Sequence, residues 1–289
     1  MEQQEPWKTT ARAALYVVAT PIGNLEDITL RALRILGEVD CIASEDTRRT
    51  AKLLNHYGIR TRQESHHEHN EARSTARLLS LLRQGKSVAL VSDAGTPSIS
   101  DPGLMLIRAC RNEGIPVVPV PGPSAALAAL VGSGLPTESF CFAGYPPPRA
   151  AGRRKRLQEL AALPCTLIFY EAPHRLSRTL RDMVEILGPR RACLARELTK
   201  IHEEWVFGNL REILDAFLAR PEVRGEITLV VEGGPSPAGR AQDTASIGES
   251  VEQEMRTTGA TRKEALKAVA RRLGIPRREA YRRLLEETR

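Results

Sequence analysis

Short apolar runs rich in β-branched residues alternate with helical patterns along most of the chain, and this alternation constrains the fold more than any other feature. The runs lie at residues 14–19, 41–43, 88–91, 116–120, 140–142, 166–170, 192–195 and 227–231. Between them, apolar residues recur at helical spacing, for example at Ile28, Ala32, Ile35 and Leu36. Strands that alternate with helices are typical of βαβ units. The sequence therefore predicts an α/β fold with a largely parallel sheet.

Proline and glycine divide the chain into candidate domains. We expect one α/β domain at residues 1–122 and a second at 123–234, where Ser124 is placed to cap the first helix. A Gly- and Pro-rich linker at 235–247 then precedes a helical module at 248–289. Its last two predicted helices, 263–273 and 277–285, flank a Gly-containing turn, as in a helix-turn-helix.

The positive charge is concentrated at one end of the chain. Residues 256–289 carry eleven Lys and Arg against four Asp and Glu, a net charge of +7 that equals the net charge of the whole protein. A polyanionic partner such as RNA explains this asymmetry. The simpler alternative is a well-solvated helical face.

Cysteine usage and hydropathy exclude other classes of protein. The five cysteines are scattered and form no C-x-x-C pair, which argues against a disulfide framework or a zinc knuckle. No apolar run approaches the ~20 residues that span a bilayer. Residues 1–12 are charged and lack the apolar core of a signal peptide. We expect a cytoplasmic protein without a membrane partner.

Two common phosphate-binding motifs are missing. The loop after the first predicted strand, residues 20–25, holds a single glycine and a proline instead of G-x-G-x-x-G. Gly85-Lys86-Ser87 lacks the first glycine of a P-loop, since position 80 is Ser80, and it precedes a strand. The chain is therefore unlike an ordinary dinucleotide or nucleoside triphosphate enzyme.

The loop at residues 92–103 is the richest in chemistry. It contains four hydroxyl side chains, two carboxylates, two glycines and two prolines. One interpretation is a rigid turn in which Ser100 or Asp101 caps the next helix. Because ligands of open α/β sheets bind at the carboxyl ends of strands, we expect a binding loop here.

The sequence allows more than one role for each of two further loops in the first half. Residues 44–49 place two acids beside two arginines, which suits local ion pairs and a substrate-contact loop equally. Residues 65–70 hold three histidines but no H-x-x-x-H pair, so we expect no metal site. Contacts to an RNA backbone, or a helix cap at Asn70, fit this segment better.

Charged clusters follow two strands of the second half, at residues 170–175 and 196–204. Side chains at strand ends are placed to form the wall of a cleft between domains. No serine occupies a G-x-S-x-G elbow, so Ser-His-Asp hydrolysis has no support.

Taken together, these loops resemble the tetrapyrrole-methylase superfamily of S-adenosylmethionine-dependent methyltransferases, and more narrowly its RNA-modifying branch. The segments that carry the resemblance lie in order at 19–28, 44–48, 67–70, 91–97, 121–125, 171–175, 196–200 and 225–226. Two departures favour the RNA branch over porphyrin enzymes. The first loop is not glycine-rich, and Gly95-Thr96-Pro97 stands where those enzymes have G-D-P.

The resemblance implies two αβα domains with S-adenosyl-L-methionine in the cleft between them, and a homodimer. It implies 2′-O-methylation of a cytidine ribose in the decoding region of 16S rRNA, within free rRNA or a small ribosomal subunit or ribosome. Carried over residue by residue, the cofactor contacts fall at Pro21, Gly95, Thr96, Pro97, Ser98, Ser124, Ala125, Tyr170, Arg196, Gly225, Glu226 and Thr228.

Methyl transfer to a ribose hydroxyl needs a group that accepts the proton. The candidates are Asp93, Glu171, Glu197 and Lys200, the last with a pKa lowered by a buried basic wall. Candidates for contacts to the RNA backbone are Arg48, Arg49, His67, Arg175 and Arg196. The alternatives are a methyltransferase of a tetrapyrrole-like small molecule and a non-catalytic ribosome-binding protein.

Overall fold

The computed structural model describes residues 13–220, 222–234, 247–272 and 277–287. The first sheet is entirely parallel, with strand order β3-β2-β4-β1-β5. Its strands are β1 (Leu15–Val18), β2 (Cys41–Ser44), β3 (Gln63–Ser65), β4 (Val88–Val91) and β5 (Val117–Val120). Its helices are α1 (Leu30–Glu38), α2 (Thr47–His56), α3 (Glu71–Arg83) and α4 (Leu104–Asn112).

Helices cover both faces of the first sheet. One face packs in a cluster with Ile35, Leu36 and Leu54, and the other packs with Leu78, Leu82 and Leu106. Every residue of β1, β2 and β4 is buried as a result. This two-sided burial is why these strands read as continuous apolar runs.

The second sheet has strand order β6-β7-β10-β8-β9. Its strands are β6 (Phe140–Gly144), β7 (Thr166–Glu171), β8 (Arg191–Arg196), β9 (Glu204–Asn209) and β10 (Ile227–Val231). Only the β6–β7 pair is parallel, and the other pairs are antiparallel. The prediction of a largely parallel sheet is therefore wrong for this half, because β9 returns directly beside β8 and β10 inserts between β7 and β8. The helices here are α5 (Ala125–Ser133), α6 (Ala150–Ala161), α7 (Pro173–Leu187) and α8 (Leu210–Leu218).

The side chains that the sequence offers as caps of α3, α4 and α5 do not cap these helices. Ser124 precedes α5 but its side chain makes no capping hydrogen bond. Asn70 precedes α3 and instead accepts from the backbone N–H of His67, at 2.8 Å. Neither Ser100 nor Asp101 caps α4, whose first N–H groups at Gly103 and Met105 point to Glu71 Oε1 at 3.0 and 3.4 Å.

The basic end of the chain forms three helices with a small core of its own. They are α9 (Ile247–Thr258), α10 (Arg262–Arg272) and α11 (Arg277–Glu287). Val251, Leu266, Val269 and Ala280 are among the buried residues that join them. Of the predicted linker at 235–247, residues 235–246 lie outside the described residues, and Ile247 begins α9 instead. The predicted turn at 274–276 also lies outside them. Over the ranges that the structure covers, no helix is long and apolar enough to cross a bilayer.

Candidate active site

A cleft of about 200 Å³ opens where the loops after the first sheet's strands meet the second sheet. Parallel strands end at one edge of a sheet, so β1, β2 and β4 deliver their following loops to the same place. The lining residues are Ile22, Glu45, Arg49, Asp93, Ala94, Gly95, Thr96, Ile99, Ser100, Asp101, Ser124, Ala125, Tyr145, Tyr170, Glu226, Ile227 and Thr228.

The structure brings many of the residues implied by the resemblance together in this lining. Those implied as cofactor contacts that line the cleft are Gly95, Thr96, Ser124, Ala125, Tyr170, Glu226 and Thr228. Asp93 and Arg49 also face it. The implied contacts that lie outside this lining are Pro21, Pro97, Ser98, Arg196 and Gly225. Pro21 lines an adjoining smaller cavity that shares Arg49 and Asp93 with the cleft.

Backbone strain concentrates in two loops beside the cleft. In the described chain, the non-glycine residues with positive φ are Ser98 (68°), Ser100 (65°), Glu197 (52°) and Thr199 (65°). Left-handed conformations of such residues are costly and cluster at functional sites. The loops that hold them, 92–103 and 197–203, belong to different sheets.

The loop after β1 ties these two loops together. Thr20 and Gly95 exchange both backbone hydrogen bonds, at 2.9 and 3.0 Å. Asn24 donates its N–H to Thr199 Oγ1 at 3.0 Å. A Cβ on Gly23 would lie 2.8 Å from Thr199 Oγ1, so only glycine permits this approach between the two halves.

Carboxylates dominate the charge of the lining. Burial raises the pKa of Asp101 to about 7, with further contributions from Glu45 and Asp93. Burial also raises the pKa of Glu45, and the nearby Asp93 adds to that shift. Arg49 faces this group and lies 3.5 Å from Asp93. The basic wall predicted from the sequence is thus replaced by an acidic one.

The ion pairs of Lys200 contradict the prediction that it is a base with a lowered pKa. Burial alone acts to lower the pKa, but ion pairs with Glu197 at 2.8 Å and Glu226 at 3.2 Å outweigh it and raise the pKa. Glu197 also accepts the backbone N–H of Glu226 at 2.8 Å. Although burial opposes it, these hydrogen bonds hold the pKa of Glu197 below its usual value. Neither side chain lines the cleft.

Glu171 is placed to hold the structure rather than to face a substrate. Its side chain is fully buried, accepts from Thr179 Oγ1 at 2.5 Å and from the Ala172 N–H at 2.8 Å, and pairs with Arg175 at 2.9 Å. Arg175 also donates to the Pro146 carbonyl at 2.6 Å. Both residues are therefore engaged inside the second half.

The other residues predicted to contact RNA differ in the exposure of their side chains and in their ion pairs. Arg48 pairs with Asp46 at 3.0 Å, but 88% of its side chain is exposed. Arg196 pairs with Glu204 at 2.8 Å. His67 is half-buried at the end of the loop after β3. Among the arginines predicted to contact RNA, Arg49 is the one in the cleft lining.

Sequence reasoning did not assign Glu45, Asp101 or Tyr145 to the site. Glu45 lies in a loop whose sequence suits substrate contacts and local ion pairs equally. Asp101 lies in the predicted binding loop 92–103, for which a helix cap at Ser100 or Asp101 is the alternative interpretation. Tyr145 follows β6 and packs against Tyr170 in a tilted arrangement, with ring centroids 5.6 Å apart and ring planes 60° apart. Its place at a strand end was the available signal. The remaining lining residues that were not assigned are Ile22, Ala94, Ile99, Ser100 and Ile227.

Comparison with known proteins identifies the family. Residues 14–214 match the family described as Tetrapyrrole (Corrin/Porphyrin) Methylases. A protein of Halalkalibacterium halodurans named ribosomal RNA small subunit methyltransferase I is 47% identical over 282 residues, covering 96% of this chain and 97% of the relative. The protein of the same name from Escherichia coli O157:H7 is 51% identical over 226 residues, covering 77% of this chain and 79% of the relative.

The fold is shared with a solved structure of the family. Uroporphyrin-III C-methyltransferase from Thermus thermophilus, complexed with S-adenyl homocysteine, has 22% sequence identity and a TM-score of 0.54. The match covers 76% of this chain and 97% of the solved chain. With its family match and its full-length relatives, this chain belongs to the tetrapyrrole methylase family and, within it, to the ribosomal RNA small subunit methyltransferase I proteins.

Proposed function

We propose that this protein transfers a methyl group from S-adenosyl-L-methionine to the 2′-hydroxyl of a cytidine ribose in the decoding region of 16S rRNA. The observation that carries the proposal is the 47% identity to a ribosomal RNA small subunit methyltransferase I over 96% of the chain. That match includes most of the basic end, which a tetrapyrrole substrate would not require.

The lining of the cleft suits S-adenosyl-L-methionine. Ile22, Ala125 and Ile227 offer apolar surface, and Tyr145 and Tyr170 offer aromatic rings to an adenosine. The carboxylates nearby suit the positive charges of the sulfonium and amino groups. When bound, the cofactor supplies an electrophilic methyl group.

Positioning is the main task of the chain's own residues. Holding two reactants in line contributes ~7–11 kcal/mol to catalysis of this kind. The interlocked loops 20–25, 92–103 and 197–203 form a stiff frame for that purpose, because backbone hydrogen bonds and the Asn24–Thr199 contact join them. Of the four proton acceptors predicted from the sequence, Asp93 faces the cleft.

The RNA is proposed to bind across the cleft mouth and the helical module at 248–289. Arg48 and Arg49 are proposed to contact phosphates near the cleft, which the 88% exposure of the Arg48 side chain and the position of Arg49 in the lining support. His67 follows β3 at the same edge of the first sheet and is proposed to contact the RNA backbone. In the module, every basic residue whose side chain is described is exposed: Arg256, Arg262, Lys263, Lys267, Arg271, Arg277, Arg278 and Arg282. Phosphate contacts of this kind position a substrate without reading its bases.

We also propose a cytoplasmic homodimer with catalytic domains at 1–122 and 123–234. The five cysteines are free, which suits a reducing compartment. On α5, Leu127 and Val131 are 50% and 76% exposed and lie one helical turn apart, so they offer apolar surface to a second copy of the chain. Light scattering on the purified protein should give twice the mass of one chain, and a monomer at micromolar concentration would contradict the dimer.

The reaction is tested with radiolabelled S-adenosylmethionine and small ribosomal subunits from a strain that lacks the homologous enzyme. Nuclease digestion and mass spectrometry then locate the label. The proposal expects a methyl group on a cytidine ribose. Free 16S rRNA and whole ribosomes serve as parallel substrates, and a uroporphyrin-type tetrapyrrole serves as the small-molecule control. Labelling of the tetrapyrrole instead of RNA would overturn the proposal.

A further inference from the structure

Asp101 is free of the structural role that its position suggests. It lies two residues before Gly103, the N-cap residue of α4, so capping that helix is one role open to it. Here the cap is supplied by Glu71 of α3, whose Oε1 accepts from the N–H groups of Gly103 and Met105. The carboxyl of Asp101 faces the cleft instead.

Asp101 lies among other carboxylates in the cleft. Carboxylates approach it from three separate elements, since Glu45 follows β2, Asp93 follows β4, and Glu226 precedes β10. The phenols of Tyr145 and Tyr170 also lie near it. The cation of the lining, Arg49, pairs with Asp93.

The neighbouring carboxylate of Asp93 already forms a hydrogen bond and an ion pair within the protein. Its Oδ1 accepts the backbone N–H of Asp46 at 2.9 Å, and its Oδ2 lies 3.5 Å from the Arg49 guanidinium. Both oxygens of Asp93 are therefore occupied by contacts within the protein. Asp101 has burial and like charges instead, which increase its affinity for a proton.

We propose that Asp101 is the catalytic residue that accepts the proton of the substrate hydroxyl during methyl transfer. This inference rests on the proposed function. As the hydroxyl oxygen bonds to the methyl carbon, the carbon–sulfur bond breaks and its electron pair stays on sulfur. The O–H proton passes to the carboxylate of Asp101. One positive and one negative charge are lost together, leaving a neutral thioether and a neutral carboxylic acid.

The titration of Asp101 suits this step. Its pKa of about 7 makes the ionised form abundant at neutral pH while keeping the group a much stronger base than an ordinary aspartate. General bases are most effective when their pKa lies near the working pH. We therefore expect the single-turnover rate to fall on the acid side of neutrality.

The test compares Asp101→Asn, Asp101→Glu and the control Glu113→Gln, which removes a carboxylate from an exposed ion pair with Arg83. Cofactor affinity is measured by calorimetry, and single-turnover methyl transfer to small subunits is measured across the neutral pH range. Loss of a general base predicts a rate that falls by roughly 10²- to 10⁴-fold in Asp101→Asn, with partial rescue in Asp101→Glu. The loss in rate at saturating cofactor is expected to exceed any loss in cofactor affinity, and Glu113→Gln is expected to behave as wild type.

A second readout does not depend on activity. With ¹³C-carboxyl-labelled aspartate, one resonance should titrate near pH 7, vanish in Asp101→Asn, and move to lower pH in Glu45→Gln because a repelling charge is gone. A titration below about pH 5, close to an ordinary aspartate, would overturn the inference.

The kinetic outcomes separate this inference from the proposed function. An Asp101→Asn rate equal to wild type, or a rate loss that saturating cofactor restores, would overturn the base role alone. A wild-type protein that methylates no form of the small subunit would overturn the proposed function, and the base role with it.

Discussion

Replacing Glu171 by alanine separates a structural carboxylate from a catalytic one. Glu171 ends β7 and holds α7 to that strand through Thr179, the Ala172 N–H and Arg175. Its side chain is fully buried and that of Arg175 is only 19% exposed. Alanine would therefore leave a guanidinium without its carboxylate in a site with little access to water.

The expected cost follows from that burial. Breaking a buried ion pair by removing one partner costs about 3–5 kcal/mol. At roughly 2–4 °C per kcal/mol for proteins somewhat smaller than this one, the Tm should fall by about 10 °C. Glu185→Ala is the matched control, because Glu185 is 62% exposed in its pair with Arg154 and such pairs contribute ~1 kcal/mol or less.

Thermal unfolding followed by circular dichroism measures this difference, and calorimetry at a temperature where the variant is folded measures cofactor affinity. We expect a large loss of stability and a cofactor affinity close to wild type. A variant that keeps its Tm but loses methyl transfer would refute this reasoning and return Glu171 to the catalytic group predicted from the sequence.

Three further perturbations have definite outcomes. Gly23→Val should weaken cofactor binding and stability by about 1–3 kcal/mol, because its side chain overlaps Thr199; unchanged affinity in calorimetry would contradict the role of this contact. Arg220, assisted by Arg196, lowers the pKa of Glu204 to about 2. The ionised Glu204 therefore contributes its full stabilisation of the folded state above the unfolded pKa of ~4.3, and this contribution is lost as the pH falls towards 2. The Tm gap between wild type and Glu204→Gln should close over that range, and a constant gap would contradict it. Deleting residues 240–289 should lower RNA affinity and its salt dependence while leaving cofactor binding intact; an unchanged salt slope would contradict RNA binding by the module.

The strands that can be predicted from the sequence are those buried on both faces. β4 and β10 were predicted with their observed bounds, since every residue in them is apolar or buried. β3 and β9 are edge strands that the sequence prediction missed. The sequence of β3, QES, carries no apolar run. β9 does contain the run Trp205-Val206-Phe207, but charged and polar residues on both sides make it resemble a loop. The antiparallel pairing of the second sheet depends on which strands meet, and local patterns do not encode that.

The residues of the site also fall into a group that can be predicted from the sequence and a group that cannot. Loops that follow buried strands were found, and Gly95, Thr96 and Tyr170 line the cleft as expected. The partners of charged side chains were not predictable, because they come from distant segments. Glu71 caps α4 by accepting the N–H of Gly103, 32 residues away in sequence, and Glu226 reaches Lys200 across 26 residues. The first contact rules out the alternative interpretation of Ser100 or Asp101 as the cap of α4, and the second helps to raise the pKa of Lys200, which was expected to be lowered.

The most direct test of the account is the position of the methyl group that the protein adds to unmodified small ribosomal subunits. With radiolabelled cofactor, the account predicts label on the ribose of one cytidine in the decoding region of 16S rRNA. Label on a base, on another RNA, or only on a small molecule would contradict it.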